Sequence, residues 1–367
     1  MSIVRRLRLR DLRCYETADA AIGDRLTIVH GANGAGKTTL LEALYLGCTG
    51  SSCRTRNERE VVRFGAPAAR VELDLERHDG PHRLAVGYEP GQPKRLTADG
   101  APVERLLDVP FRPLVSVFLP DRLELVKGPP ALRRSHVDQL VAGLWPARRA
   151  RRRAYSQALA QRNALLARVR SRATGRDALA TWDLELGRHA VALRADRIDA
   201  IARIAKGTEL VGGELGLAGR LELRLRSRSD ATDAESFACE LAARLDTDLE
   251  RGFTTHGPHR DELDLLRDGR ALRTYGSQGE QRLGLLALLL AEREALEAER
   301  DHAPLLLLDD VLSELDGARR ELLLEHAGRA GQVVLTTTEP ERLPDAALAA
   351  ASVLQVAGGT VRELVSA

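Results

Sequence analysis

The chain is poor in cysteine, aromatics and lysine, and each shortage excludes something. Four cysteines (Cys14, Cys48, Cys53 and Cys239) are too few to staple 367 residues. Cys48 and Cys53 lack a second close pair, so a zinc site is not expected, and four reduced thiols fit a cytoplasmic setting. Aromatics make up 3% and do not alternate with basic residues, which argues against a platform for stacking unpaired bases. Apolar runs such as Leu305–Leu308 fall far short of the roughly 20 residues that cross a bilayer. The opening Met1-Ser2-Ile3-Val4-Arg5-Arg6 leads into alternating Leu and Arg rather than an apolar signal core. A soluble, cytoplasmic protein with no membrane partner is expected.

Of 55 basic residues only Lys37, Lys94, Lys127 and Lys206 are lysines. Genome base composition accounts for the arginines. A lysine kept under such a bias is a candidate for a role that needs a compact ammonium, which the planar guanidinium cannot fill everywhere. The net charge of +2 points to no partner by itself.

Leu7 and Leu9 alternate with Arg6, Arg8 and Arg10, the pattern of a half-buried strand. Leu26-Thr27-Ile28-Val29 predicts a short buried strand that stops at a glycine-rich turn, and a helix is predicted from Thr38 onward. Residues 71–86, with His78-Asp79-Gly80-Pro81 between two apolar runs, predict a hairpin, and Asp99-Gly100 predicts a further turn. From about residue 113 to 255 the pattern becomes helical, interrupted by a strand-like Leu221–Leu225. Leu179, Trp182, Leu186, Leu193, Ile201 and Ile204 share one helical face, which reads as packed core. Strand grammar returns after residue 260, with buried strands expected at Leu305–Leu308 and Val333–Leu335. The expectation is an α/β head made of residues 1–112 and 256–367, flanking a mainly helical inserted domain at 113–255.

Gly31-Ala32-Asn33-Gly34-Ala35-Gly36-Lys37-Thr38 matches the Walker A pattern and lies between a predicted strand and helix. Glycines let the backbone curl so that successive N–H groups face phosphate oxygens, and the helix start adds its positive dipole end. Lys37 is expected on the β/γ-phosphates of ATP, and Thr38 on Mg²⁺. Leu305–Leu308 followed by Asp309-Asp310 has the Walker B form. Asp309 is expected to hold Mg²⁺, and Asp310 to orient or deprotonate the attacking water.

Ser277-Gln278-Gly279-Glu280-Gln281 precedes a predicted helix and resembles the signature of ABC-type ATPases, while Ser313-Glu314-Leu315-Asp316 resembles their D-loop. Ser277, Gln278, Gly279 and Gln281 would then form a second phosphate-binding surface that completes the site of an opposite subunit. Ser277 would thereby share the catalytic role with Lys37 and Asp310.

Further segments resemble the RecF family, recombination mediators with SMC-like heads. These are Leu9-Arg10-Asp11-Leu12-Arg13-Cys14-Tyr15, Pro120-Asp121, Leu125-Val126-Lys127-Gly128-Pro129-Pro130 with Arg133-Arg134, and Gly257-Pro258-His259-Arg260-Asp261. The resemblance implies an ABC/SMC-type P-loop ATPase head with a mainly helical second domain and no long coiled coil. It implies an ATP-dependent homodimer that binds duplex DNA and gap junctions, with RecR as a partner and the RecO/RecA pathway downstream. Arg13 and Thr39 join the expected nucleotide-binding set. An ABC transporter-type motor is the alternative, but Asp310 stands where transporters carry Glu, and Thr336-Thr337-Thr338-Glu339 stands where they carry His. Both departures predict slow, weak ATP turnover. An SMC arm does not fit between Lys37 and Ser277, and a P-loop kinase leaves the signature unexplained.

Arg148, Arg149, Arg151, Arg152 and Arg153 form the densest basic run. They could meet duplex phosphates through counterion release, or form a solvated helix face. His256 and His259 lack metal-ligand companions, and His259-Arg260-Asp261 is expected to be a structured loop near the nucleotide or the domain junction.

Overall fold

The computed structural model describes residues 2–364 apart from residues 56, 120–122, 314 and 330. Pro120-Asp121 and Glu314 of the motifs above therefore lie outside the described residues. The chain divides into two compact units: a head unit of Met1–Arg122, Glu214–Gly216 and Leu296–Ala367, and a second unit of Leu123–Gly213 and Leu217–Ala295.

The head unit holds two six-stranded sheets. Its antiparallel sheet comprises β1 (Ile3–Leu12), β2 (Tyr15–Ala21), β4 (Ala69–Arg77), β5 (Gly80–Tyr88), β6 (Arg95–Ala98) and β7 (Ala101–Pro102), in the order β2-β1-β4-β5-β6-β7. The Leu/Arg alternation of β1 turns Leu7 and Leu9 inward and leaves Arg6 and Arg10 exposed. The second sheet contains β3 (Leu26–His30), β8 (Val115–Phe118), β12 (Leu305–Leu308), β13 (Val333–Thr337), β14 (Ser352–Ala357) and β15 (Thr360–Leu364). Its order is β15-β14-β3-β13-β12-β8, parallel except for the β15 edge.

Helix α1 (Lys37–Thr49) lies against strands of both sheets. Leu40, Leu41, Ala43, Leu44, Leu46 and Cys48 are all buried, as befits a helix apolar on every side. They join both sheets into one hydrophobic core. Each such leucine contributes about 1.5–3 kcal/mol of transfer free energy. Gln332 adds a polar tie: its amide accepts from Val4 N–H at 3.0 Å and donates to Val4 O and Gly23 O at 2.7 Å each.

The second unit contains α2 (Glu124–Lys127), α3 (Pro130–Leu144), α4 (Arg149–Arg170), α5 (Leu179–Glu214, its last residue in the head unit), α6 (Ala234–Ala242), α7 (Leu245–Arg251) and α8 (Leu272–Tyr275). α9 (Gln278–Arg300) belongs to it as far as Ala295, while α10 (Gly317–Gly328) and α11 (Asp345–Ala349) belong to the head unit. A three-stranded antiparallel sheet, with β10 (Glu262–Arg267) between β9 (Leu221–Arg226) and β11 (Arg270–Ala271), completes the second unit. Leu186 and Leu193 of the expected helical stripe pack with Tyr155, Phe237 and Leu241, and Trp182 is half-buried. The longest described helix, α5, has 36 residues, and no described helix is long and apolar enough to cross a membrane.

The unit boundaries differ from those read in the sequence. Val115–Phe118 pairs in parallel with Leu305–Leu308, so the first head segment runs past residue 112. Residues 256–295, expected with the head, group with the second unit, because β10 pairs with β9 and not with either head sheet.

Candidate functional site

The cradle from Gly31 to Thr38 connects β3 to α1. Gly31 (φ 157°) and Gly36 (φ 117°) occupy backbone that L side chains rarely adopt. A Cβ at Gly31 would lie 2.2 Å from Val356 O, a backbone atom that cannot step aside, and one at Gly36 would lie 2.6 Å from the Tyr15 hydroxyl. The Lys37 ammonium donates to the loop's own carbonyls, Gly31 O at 2.7 Å and Ala32 O at 3.0 Å. Ala32, Asn33 and Gly34 are exposed, whereas Lys37 and Thr39 are buried.

Beside the cradle β12 ends in Asp309, which is 5% exposed. The Thr38 hydroxyl lies 3.0 and 2.9 Å from its two carboxylate oxygens, and the Thr336 hydroxyl donates to Oδ1 at 2.7 Å. Asp310 follows with φ 48°, a left-handed conformation that costs a non-glycine residue about 1–3 kcal/mol and is found at functional sites. Its carboxylate Oδ1 is buried with no hydrogen-bond partner among the described residues. Burial, then the neighbouring Asp309 charge, raises the Asp310 pKa above the ordinary carboxylate value, while Lys37 opposes the rise. For Lys37, burial lowers the pKa and the charges of Asp310 and Asp309 pull it back. One cation and two carboxylates thus share a small, half-dry space at the mouth of the cradle.

Residues outside the glycine cradle and the acid pair hold this space together. The buried Tyr15 hydroxyl donates to Gly36 O at 3.1 Å. Glu42 on α1 is fully buried and accepts from Arg13 at 3.1 and 2.9 Å, Ser52 at 2.5 Å and Arg54 at 3.3 Å. Arg13, expected on the nucleotide, is thereby committed to a bidentate ion pair within the head unit. Tyr15 closes the Leu-x-x-Leu-Arg-x-Tyr segment, so the motif marked its position but not its task.

Within the second unit, Ser277 caps α9. Its hydroxyl accepts from Glu280 N–H at 3.3 Å, and the Glu280 carboxylate accepts from Ser277 N–H at 2.8 Å and from Arg267. Ser277, Gln278 and Gly279 are exposed, and a Cβ on Gly279 would meet nothing within 4 Å. Gln281 turns inward instead, donating to Leu272 O at 2.9 Å and Gly276 O at 3.0 Å. In the D-loop-like segment, Ser313 donates to Asp310 O at 2.9 Å and Asp316 caps α10.

The basic run is largely neutralised by its neighbours. Arg148 donates to Asp196 and Asp199 at 3.1 and 2.8 Å and covers the Trp145 ring, Arg151 donates to Asp196 at 2.6 Å, and Arg152 pairs with Asp138 at 3.2 Å. Arg149 is also engaged, and Arg153 is exposed. The acids come from α3 and α5, remote in sequence, while Arg151, Arg152 and Arg153 stay exposed.

The 256–261 loop lies inside the second unit. His259 accepts from the Tyr155 hydroxyl at 2.6 Å through Nδ1 and donates to Thr254 O at 3.0 Å through Nε2. Arg134 donates to Asp261 O at 2.9 Å and Arg133 binds Glu262. The Arg133-Arg134 and Gly257–Asp261 segments are therefore two sides of one packed network.

A glycine cradle at a strand–helix turn and an acid-tipped parallel strand beside it define a P-loop ATPase of the ABC/SMC head type, and Ser277 caps the exposed start of α9. A family model described as an AAA domain matches residues 6–104. The chain is 39% identical to the DNA replication and repair protein RecF of Anaeromyxobacter sp. (strain Fw109-5), over 98% of this chain and 99% of that one. It is 33% identical to the RecF of Acetivibrio thermocellus, covering 92% and 93%. A solved structure of the recombination mediator RecF with ATP, from the RecFOR pathway, superposes with a TM-score of 0.88 at 25% identity, covering 99% and 98%. An Smc head bound to the C-winged helix domain of ScpA shares the fold, with a TM-score of 0.59 over 99% and 97% at 16% identity. The chain belongs to the RecF family of DNA replication and repair proteins.

Proposed function

We propose that this chain is an ATP-dependent DNA-binding protein of recombinational repair. ATP joins two copies into a clamp on duplex DNA near single-strand gaps, the clamp helps load recombinase, and slow hydrolysis resets it. RecR is the expected partner, with RecO and RecA downstream. The solved relative's ATP and its RecFOR pathway support this reading. The observation that carries it is the intact cradle and acid pair in one unit together with the exposed, serine-capped start of α9 in the other.

Residues 31–39 would hold the phosphates through backbone N–H groups, with Lys37 exchanging the Gly31 and Ala32 carbonyls for β/γ-phosphate oxygens. Thr38 and Asp309 offer a hydroxyl and a carboxylate already within 3.0 Å of each other, an oxygen set that suits Mg²⁺. Bound there, Mg²⁺ supplies charge neutralisation on the phosphate oxygens. Asp310 takes the proton of the attacking water at its unpartnered oxygen. Ser277 and the start of α9, presented by a second copy, grip the γ-phosphate from the other side, so its loss loosens the dimer. Turnover is slow because Asp310 is one methylene shorter than Glu and no His lies in 336–339.

Light scattering with ATP and Mg²⁺, with and without duplex DNA, tests the clamp on wild type, Lys37→Arg and Ser277→Arg. Wild type should dimerise and bind duplex only with nucleotide. Lys37→Arg should fail in nucleotide handling, and Ser277→Arg should bind ATP yet stay monomeric. A wild type that remains monomeric and ignores DNA in every nucleotide state ends this reading.

A further inference from the structure

Strands β12 and β13 run parallel with Leu308 opposite Leu335, so one residue further along each strand Asp309 meets Thr336. Thr336 is fully buried, and its single hydroxyl serves both acids. It donates its only proton to Asp309 Oδ1 at 2.7 Å and accepts the backbone N–H of Asp310 at 2.9 Å. A hydroxyl has one proton and two lone pairs, so the first bond fixes the orientation with which it receives the second. The residue it receives from is the one with φ 48° and the unpartnered carboxylate oxygen.

We infer that Thr336 is a positioning residue for hydrolysis, one hydroxyl that sets Asp309 and Asp310 relative to each other. This rests on the functional reading above, in which water attacks the γ-phosphorus, the bond to the bridging oxygen breaks and the water's proton passes to Asp310. Among the described residues the hydrogen bonds of the Thr336 hydroxyl run to Asp309 and Asp310 and not to the cradle or Lys37. Its removal therefore separates nucleotide binding from turnover. Without the hydroxyl, the Asp310 N–H loses its acceptor, the left-handed turn loses its anchor, and the Asp309 carboxylate keeps Thr38 as its side-chain partner among the described residues.

The experiment compares wild type, Thr336→Val, Thr336→Ser and, as the reference for a lost base, Asp310→Asn. It reads melting temperature, affinity for a fluorescent ATP analogue, single-turnover hydrolysis and the Mg²⁺ concentration for half-maximal rate. Thr336→Val should bind nucleotide within about 2-fold of wild type, yet hydrolyse about 10- to 100-fold more slowly, the scale of a misplaced reacting group. Its half-saturating Mg²⁺ should rise, and Thr336→Ser should return to near the wild-type rate. Should the valine chain melt early, Thr336→Cys keeps the volume with a much weaker donor and acceptor and reads the same effect. Thr336→Val at the wild-type rate, or Thr336→Ser as slow as Thr336→Val, overturns the inference. With an active wild type that failure leaves the clamp reading standing, whereas a wild type that neither binds nor hydrolyses ATP sinks both.

Discussion

The interior of the second unit and the phosphate site of the head unit bury charge in opposite ways. In the second unit Arg133, Arg162 and Arg197 are almost fully buried, and each is held by carboxylates, although Arg162 Nη2 has no hydrogen-bond partner among the described residues. Arg133 grips Glu262 at 2.6 and 3.1 Å and caps Leu125 O, Val126 O and Gly128 O. Arg162 donates to Asp183, Asp248 and Thr254 at 2.6–2.7 Å, and Arg197 binds Asp138, Asp261 and Pro258 O. In the head unit's site, among the described residues, Lys37 donates to two loop carbonyls and one Asp310 oxygen has no partner. A buried charge held by opposite charges fixes shape, whereas one beside a glycine cradle and short of partners stands ready for a ligand.

The largest test of that contrast is Arg162→Ala. It strands Asp183 and Asp248 in the interior, and breaking a buried pair from one side costs about 3–5 kcal/mol. Urea denaturation should show that loss, while the Lys37→Arg chain, changed where the partners are few, should unfold within about 1 kcal/mol of wild type. Equal losses in the two chains would erase the distinction between structural and functional burial.

The sequence exposed those parts of the site that local chain geometry dictates. The cradle was readable because a tight turn needs glycine at set places and the phosphates need Lys37-Thr38 directly after it. β12 was readable because four leucines and two aspartates form one continuous signal. β8 was not: Val115-Ser116-Val117-Phe118 is short, and its partner Leu305–Leu308 lies far along the chain. The tasks of Tyr15, Glu42 and Thr336 escaped for the same reason, since each acts across strands or turns that only the fold brings together. The partners of the basic run were also hidden, because counting arginines takes no account of Asp138, Asp196 and Asp199 arriving from other helices.

The second test uses pH on the network of the second unit. Burial pushes the His259 pKa down from 6.5 to about 4, with Arg260 and Arg134 nearby also disfavouring the cation, while its bond to Thr254 O and the charge of Asp248 favour it. The folded value lies below the unfolded one, so the unfolded chain binds the extra proton as pH falls. Stability is therefore complete above about pH 6.5 and declines toward pH 4, by a total of about 3 kcal/mol. Urea midpoints of wild type across that window should fall with acid, and those of His259→Gln should fall less. Parallel curves would mean that His259 does not carry this sensitivity.

The smallest test returns to the head unit and asks whether a single bond can matter to binding more than to folding. Tyr15→Phe keeps the buried ring and removes only the hydroxyl that donates to Gly36 O. Gly36 O also receives Leu40 N–H at 3.2 Å, so the carbonyl is not orphaned and the stability cost should be at the low end, about 0.5–1 kcal/mol. The cradle's backbone N–H groups, however, point correctly only while Gly36 holds φ 117°. Loosening that residue should weaken ATP-analogue affinity about 3-fold, close to the full 0.5–1 kcal/mol in binding terms. If Tyr15 serves packing alone, affinity stays at the wild-type value and the ring is simply core. A matched loss in affinity and stability would instead show that even a well-packed residue of the head unit contributes to the cradle's readiness for phosphate.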